Sequence, residues 1–268
     1  MNFDLNQNVI IPDWPAPENV QALVTTRVNL DKQRDLSQIL TGYDHFNLAL
    51  HVQDDVKQVL NNRQHLADYL QISPQNFSWL EQVHGITVVE AETSLNKTVK
   101  ADACTSTTSE TVCTIMTADC LPVLFCNIPQ ENEAQQVAAA HAGWRGLADG
   151  ILTKTLATFS QAQHVIAWLG PAISQNHFEV GQEVYDAFIK KNPENKKAFK
   201  TSPNTQPAKP KWLASLTELA KIELAQAGIN AVYGGDFCTF EQSALFYSYR
   251  RDGARSGRMA SLIVIREQ

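Results

Sequence analysis

Hydrophobic positions recur along this chain at two spacings. Residues 54–70 follow the helical one. Val56, Val59, Leu60, Leu66, Ala67 and Leu70 form a stripe behind Asp54, a capping residue type, and Ser73-Pro74 ends the run. The same spacing predicts helices over Arg145–Phe159 (Leu147, Ala148, Ile151, Leu152, Leu156), Gly181–Lys191 and Trp212–Ala227, the last stopped by Gly228. Short runs rich in β-branched or small residues read as strands: Val20–Thr26, Phe77–Leu80, Ile86–Val89, Thr111–Met116, Pro122–Asn127, Gln136–His141, Val165–Leu169, Ala231–Gly234, Ala244–Ser248 and Ser261–Ile265. Two stretches break both patterns. Asn29 to Asp44 is polar and is expected to wander over the surface. Residues 192–211 carry Pro193, Pro203, Pro207 and Pro210 among lysines, and read as a long surface loop within one domain spanning 1–268. Strands and helices alternate without a regular βαβ beat, which predicts an α+β fold of sheets with outer helices.

Composition narrows the class. The chain has 268 residues, 44% of them hydrophobic, enough for a full core without disulfide staples. Its net charge of −6 argues against coating nucleic acid or anionic membrane. No apolar run approaches the roughly 18 residues needed to span a bilayer. The five cysteines, Cys104, Cys113, Cys120, Cys126 and Cys238, are odd in number and four fall in one apolar stretch. That is not a secreted disulfide framework, and a cytoplasmic protein is expected. No dinucleotide-binding glycine motif or Walker loop is present.

Three short segments place a His or Cys where a buried strand meets a turn: Gln82-Val83-His84-Gly85, Thr117-Ala118-Asp119-Cys120-Leu121-Pro122 and His141-Ala142-Gly143-Trp144-Arg145-Gly146. Two imidazoles and one thiolate suit zinc, and three protein ligands leave a fourth position open. Yet 36 residues separate His84 from Cys120 and 21 separate Cys120 from His141, so this is no local metal spacing. On spacing alone, three core or turn residues is the plainer reading.

Taken in order, the motifs say more. The three segments, with Ala101-Asp102-Ala103, Leu169-Gly170-Pro171-Ala172-Ile173, Asn47-Leu48-Ala49-Leu50-His51-Val52 and the tail Tyr247-Ser248-Tyr249-Arg250-Arg251-Asp252-Gly253 to Ser256-Gly257-Arg258, resemble the YfiH family, also called laccase-domain or polyphenol-oxidase-like. The resemblance covers about Thr25 to Ile265. It departs after Thr25-Thr26-Arg27, where the family's Gly-Gly-Val-Ser-like turn is replaced by Val28-Asn29-Leu30-Asp31.

The resemblance implies an α/β/β/α layered sandwich, likened to bacterial toxins with a Cys–His pair, and a zinc held by His84, Cys120 and His141 as the catalytic centre. It implies phosphorolysis of adenosine, inosine and methylthioadenosine, and deamination of adenosine, so purine nucleosides and phosphate are the expected partners of a monomer or homodimer. Arg27 and Asn47 are carried over as substrate contacts. Phosphorolysis needs an anion pocket. Gly143, Arg145 and Gly146, at a strand-to-helix turn, offer one. Arg250, Arg251, Arg255 and Arg258, interleaved with Tyr247 and Tyr249, offer another. Phe178 or Trp144 offers a stacking face for a purine. Asp102 and Asp119 lie beside the implied ligands, where a carboxylate either orients an imidazole or caps a turn. His177 and Glu179 are further acid–base candidates, while His45, His51, His65 and His164 are assigned no role.

Three rivals stand beside this reading. A copper-dependent polyphenol oxidase matches the older family name and a His₂Cys set with Met116 nearby, though a multicopper centre needs more imidazoles than the seven in the chain. A metal-free cysteine hydrolase would use Cys120 with a His base on amide or cell-wall precursors. A non-catalytic partner-binding protein would make its contacts through residues 192–211.

Overall fold

Period-two alternation in the strands decides which way each layer faces. The computed structural model describes residues 3–4, 8–30, 42–43, 45–131 and 133–267. Among the described residues the strands form three sheets. The first has the order Phe3–Asp4, Val9–Ile10, Val20–Thr25, Met259–Ile265, Val112–Thr117, Phe77–Trp79. The second has the order Val232–Gly234, Val165–Leu169, Leu121–Asn127, Val137–Ala142, Ala103–Ser106, Val88–Glu90. A small third sheet joins Glu179–Gly181, Lys211–Ala214 and Phe199–Thr201. The two large sheets are mixed. Most pairs are antiparallel, but Phe77–Trp79 runs parallel to Val112–Thr117, Val165–Leu169 to Val232–Gly234, and Val88–Glu90 to Ala103–Ser106.

Three apolar layers separate four layers of structure. Cys113, Ile115 and Ile263 of the first sheet meet Cys104, Leu124, Cys126, Ile166 and Trp168 of the second. The alternate residues Val112, Leu262 and Val264 point the other way and pack on the helix Val56–Leu70 through Leu66, Ala67 and Leu70. Leu121, Val123 and Phe125, alternate to Leu124 and Cys126, face Leu147, Ile151, Leu152, Val184 and Leu219 of the outer helices. The result is the α/β/β/α sandwich. Because both central sheets are covered on both faces, strands such as Val112–Thr117 and Leu121–Asn127 are buried at every position.

The helices depart from expectation where a local signal was outvoted. Asp55 rather than Asp54 caps Val56–Leu70, accepting the N–H groups of Lys57 and Gln58. Val56 and Leu60 lie on its solvent side, 56% and 51% exposed. The single helix expected over 145–159 is two, Trp144–Asp149 and Ile151–Leu156, broken at Gly150 with φ of 97°. Residues 212–214 are strand, and Ser215 caps the helix Leu216–Gln226 through Glu218 N–H. Residues 244–248 form no strand; Leu245 and Phe246 turn back onto the Gln242 carbonyl. Residues 192–211 are not a plain loop: they hold the 3₁₀ turn Pro193–Ala198, and the strand Phe199–Thr201 pairs with Lys211–Ala214. Of the polar stretch 29–44, residues 31–41 and 44 lie outside the described residues. No helix among the described residues is long and apolar enough to cross a membrane.

Burial predicts mutational cost on the first helix. Leu66→Ala, at a site with no exposure, should cost about 2–5 kcal/mol in denaturant unfolding. Leu60→Ala should stay within about 0.5 kcal/mol. Equal losses would contradict this packing.

Candidate active site

One buried carboxylate gathers two distant histidines. Asp102 immediately precedes the strand Ala103–Ser106 and has no exposure. Its Oδ1 accepts the N–H of His84 at 2.9 Å, and its Oδ2 accepts those of Gly85 at 2.7 Å and Val83 at 3.2 Å. The same Oδ1 lies 2.8 Å from Nδ1 of His141. His141 sits on the neighbouring strand, and its own N–H donates to the Asp102 carbonyl at 2.7 Å. With Nδ1 engaged, the free ring nitrogen of His141 is Nε2. His84 has φ of 61°, a left-handed conformation costly for a side chain with Cβ, and the three N–H bonds to Asp102 hold it there.

Cys120 arrives from the crossover between sheets. The strand Val112–Thr117 belongs to the first sheet and Leu121–Asn127 to the second, so residues 118–120 carry the chain across at one end of the sandwich. Asp119 makes the turn with φ of 93° and is fastened on both oxygens, by Thr239 Oγ1 and Arg250 N–H, each at 2.6 Å. Gln82 ties the His84 loop to the same strand end. Its amide exchanges two 2.8 Å bonds with the backbone of Met116.

The three side chains therefore converge. Cys120 Sγ is 3.8 Å from His84 Nε2, the imidazole rings are 4.7 Å apart at 76°, and all three donor atoms lie within 4.8 Å of one another. Such a group can hold a metal ion. Gly143 lies against all three. A Cβ there would come within 2.9 Å of His84, 3.1 Å of Cys120 Sγ and 3.4 Å of His141 Nε2. Gly146 serves the same packing, since a Cβ there would sit 2.7 Å from the Gly85 carbonyl. Gly143 thus makes room for the ligand cluster, and Gly146, inside the six-residue helix Trp144–Asp149, lets that helix pack on the Gly85 backbone.

The electrostatics favour a thiolate. Burial alone would raise the Cys120 thiol, but the charge of His141 and hydrogen bonds from both imidazoles outweigh it and bring the pKa down to about 6. Burial would lower His141, but the Cys120 thiolate and the Asp102 carboxylate raise it to about 9. Desolvation would raise Asp102; the bonds from His141, Gly85 and His84 hold it below the usual carboxylate range.

A cleft of about 360 Å³ opens beside the cluster. Arg145, Arg250 and Arg258 line it, together with His51, Trp144, Phe178 and Tyr249. None of the three arginines forms an ion pair with a carboxylate of the described residues. Arg250 passes over the Phe178 ring at 5.6 Å and donates to the carbonyls of His177 and Glu179. Arg258 spends Nη1 on the carbonyls of Ser256 and Gly257, and burial lowers its pKa.

Of the expected site residues, His84, Cys120, His141, Arg145, Phe178 and Arg250 meet at this cleft. Arg27, Asn47 and Arg251 do not. Arg27 is fully buried, donating to the Ser243 carbonyl at 3.1 Å and lying 4.9 Å over the Tyr247 ring. Asn47 is a brace. Its side chain binds Ala49 and Asp54 and accepts the N–H of Arg258 at 2.9 Å, tying the loop of His51 to the arginine beside it. Arg251 has no N–H left for a ligand: all five bind Asp252 or the carbonyls of Thr239, Phe240 and Phe246. His51, which the sequence reading assigned no role, also lines the cleft, and so does Arg258, one of the four tail arginines offered there as an anion pocket. Both fall inside quoted motifs, but only three-dimensional packing separates Arg258 from Arg251.

Known proteins resemble this chain over nearly its whole length. The model of a family described as multi-copper polyphenol oxidoreductase laccase matches residues 29–266. The chain is 46% identical to a purine nucleoside phosphorylase of Pseudomonas aeruginosa, over 96% of this chain and 98% of that one. It is 41% identical to purine nucleoside phosphorylase YfiH of Escherichia coli, over 95% and 98%. Among solved structures it is similar to Neisseria meningitidis protein NMB0706, with a TM-score of 0.84 and 42% identity over 97% and 100% of the two chains. YlmD from Geobacillus stearothermophilus gives a TM-score of 0.79 at 28% identity, over 94% of both.

Two substitutions probe the cluster. Asp102→Asn keeps the shape but replaces one oxygen, which takes two of the four hydrogen bonds, by an NH2 donor. It should weaken metal binding by about 10–100-fold in a chelator competition titration. Gly143→Ala should weaken it as well, because its Cβ pushes on all three donors. Unchanged affinity in both variants would contradict the arrangement.

Proposed function

We propose that this chain, which belongs to the laccase-domain (YfiH) family, is a zinc-dependent purine nucleoside phosphorylase that acts on adenosine, inosine and methylthioadenosine and also deaminates adenosine. The observation that carries this reading is a His₂Cys donor set opening into a cleft whose three arginines lack carboxylate partners among the described residues. The relatives named purine nucleoside phosphorylase align with nearly the whole chain.

The donor set fits zinc. His84 Nε2, Cys120 Sγ and His141 Nε2 are a borderline-soft trio, one of them a thiol already biased to thiolate, and Asp102 fixes the imidazole tautomer from behind. When bound, zinc supplies Lewis acidity and lowers the pKa of a coordinated water toward about 7. Met116 lines the same cleft, so a single copper ion matches the donors as well.

The rest falls to the protein's own side chains. Arg258, Arg250 and Arg145 present planar N–H groups suited to phosphate oxygens. Phe178, Trp144 and Tyr249 offer faces for a purine ring. In phosphorolysis a phosphate oxygen bonds to the ribose C1′ as the C1′–N9 bond breaks, and the purine leaves with that electron pair and takes up one proton. Holding phosphate and nucleoside in one walled cleft turns a bimolecular encounter into a positioned one. The five free thiols suit the reducing cytoplasm, where we place the protein as a single-domain enzyme.

A second reading, a metal-free cysteine hydrolase, is favoured by one observation: Cys120, His141 and Asp102 form a nucleophile–base–carboxylate chain. Chelator separates the two. The hydrolase keeps its activity and its Cys120 alkylates rapidly with or without chelator; the zinc enzyme loses turnover, and Cys120 alkylates only after stripping.

Chromatography of products from inosine and adenosine tests the proposal. Hypoxanthine and ribose 1-phosphate should appear from inosine only when phosphate is present, and inosine should appear from adenosine without it. Cys120→Ala should abolish both with the fold retained. Turnover of inosine by that variant at the parent rate would refute the assignment. Arg258→Gln should raise the KM for phosphate by about tenfold or more, the scale of one lost charged hydrogen bond.

A further inference from the structure

A second cluster of metal-ligand side chains sits apart from the first. His177, Cys238 and Glu241 bring a ring nitrogen, a sulfur and a carboxylate oxygen within 4.8 Å of one another. None of the three lines the cleft of the first site.

The backbone that carries these side chains is fixed. Ala172 and Cys238 form a parallel bridge, and the Thr239 N–H donates to the Ala172 carbonyl at 3.0 Å. His177 lies on the turn that closes back to the Ser174 carbonyl at 3.1 Å. Cys238 to Glu241 is a tight turn in which the Gln242 N–H reaches the Cys238 carbonyl and the Gln242 amide takes the Cys238 N–H. The Glu241 N–H points at Cys238 Sγ, 3.4 Å away. The His177 ring is held parallel to Phe240 at 4.3 Å, and its Nε2 is 2.7 Å from Glu241 Oε1.

The geometry points to a second cation site formed by His177, Cys238 and Glu241, taking a zinc-class divalent ion. The donor chemistry sets the class. A sulfur among the ligands disfavours calcium and magnesium, which take oxygen, while imidazole, thiolate and carboxylate together suit a borderline ion in tetrahedral coordination. Access is available from solvent: Cys238 is buried, but the side chains of His177 and Glu241 are 29% and 52% exposed. Three protein ligands leave one position for water. Ion binding replaces the His177–Glu241 hydrogen bond and the one from the Cys238 thiol to Ser174 Oγ at 3.2 Å with three metal bonds, and releases the Cys238 proton to solvent.

The site would act on the cleft through its wall. Arg250 donates to the His177 carbonyl, Phe178 follows in sequence, and Thr239 holds Asp119. An ion joining the 174–178 turn to the 238–242 turn stiffens both, and with them the arginine and the aromatic face they carry. This second site does not require the phosphorylase reading, nor a metal at Cys120.

Cobalt(II) titration of the full chain tests it, because a thiolate-ligated tetrahedral cobalt gives both ligand-field bands and a sulfur-to-cobalt charge-transfer band. Cys120→Ala should bind one equivalent with the charge-transfer band present. Cys238→Ser in that background should abolish the band, and Glu241→Gln, an exposed change that spares the core, should weaken binding by tenfold or more. His177→Gln should do the same. Absence of the charge-transfer band in Cys120→Ala, or its persistence in Cys120→Ala/Cys238→Ser, would overturn the proposal. In the parent protein two equivalents mean both sites bind. One equivalent retained in Cys120→Ala and lost in Cys238→Ser means that the second site stands and the first holds no metal.

Discussion

The Asp102 carboxylate is the constraint on which the candidate active site rests. A charge with no exposure is costly unless every lone pair finds a donor. Here three consecutive backbone N–H groups and one imidazole supply them. The arrangement satisfies the carboxylate and also orders the chain. It folds Val83–Gly85 into a turn that puts His84 in a left-handed conformation, and it orients the His141 ring. One buried ion thereby sets two of the three donor side chains, from segments 57 residues apart in sequence.

The sandwich supplies the third donor and the space. Two sheets packed face to face must be joined somewhere by chain that leaves one and enters the other. At residues 118–120 that passage is a tight turn fastened by Asp119 to Thr239 and Arg250. Cys120 rides on it into contact with both histidines, and Gly143 keeps the adjoining backbone thin enough for the three to meet. The Asp119 anchor also fixes the backbone of Arg250, so the metal-ligand cluster and the cationic wall share one support. In a chain with a net charge of −6, three arginines without a carboxylate partner among the described residues line this cleft, where an anion gains the most from fixed charge.

Much of this was legible in the sequence, and the misses have physical causes. Fully buried strands such as Leu121–Asn127 read directly as apolar runs, because both faces of their sheet are covered. The ordered motifs located His84, Cys120 and His141, although spacing alone could not, since nothing local in sequence encodes a contact between strands of different sheets. Gly150 inside an otherwise helical run was the unread signal for a helix break. Trp212 and Leu213 looked like the start of a helix, but pairing with Phe199–Thr201 took them into a sheet, and Ser215 then marked the true start. Within the arginine-rich tail, neighbours in sequence have opposite fates. Arg250 faces the cleft while Arg251 is consumed by backbone carbonyls. Only the fold of residues 239–252 decides between them. Asn47 carries a related ambiguity: a polar side chain in a motif can brace a loop as readily as touch a ligand, and here its hydrogen bonds go to Ala49, Asp54 and Arg258.

X-ray absorption of the ion that copurifies with the protein tests the central claim most directly, since it reports the element and its donors together. In the Cys238→Ser variant as purified, with no metal added, the account predicts a zinc edge and a shell of one sulfur at about 2.3 Å with nitrogen donors at about 2.0–2.1 Å. A shell of nitrogen and oxygen without sulfur would contradict it, because Cys120 would then stand outside the cluster that Asp102 assembles.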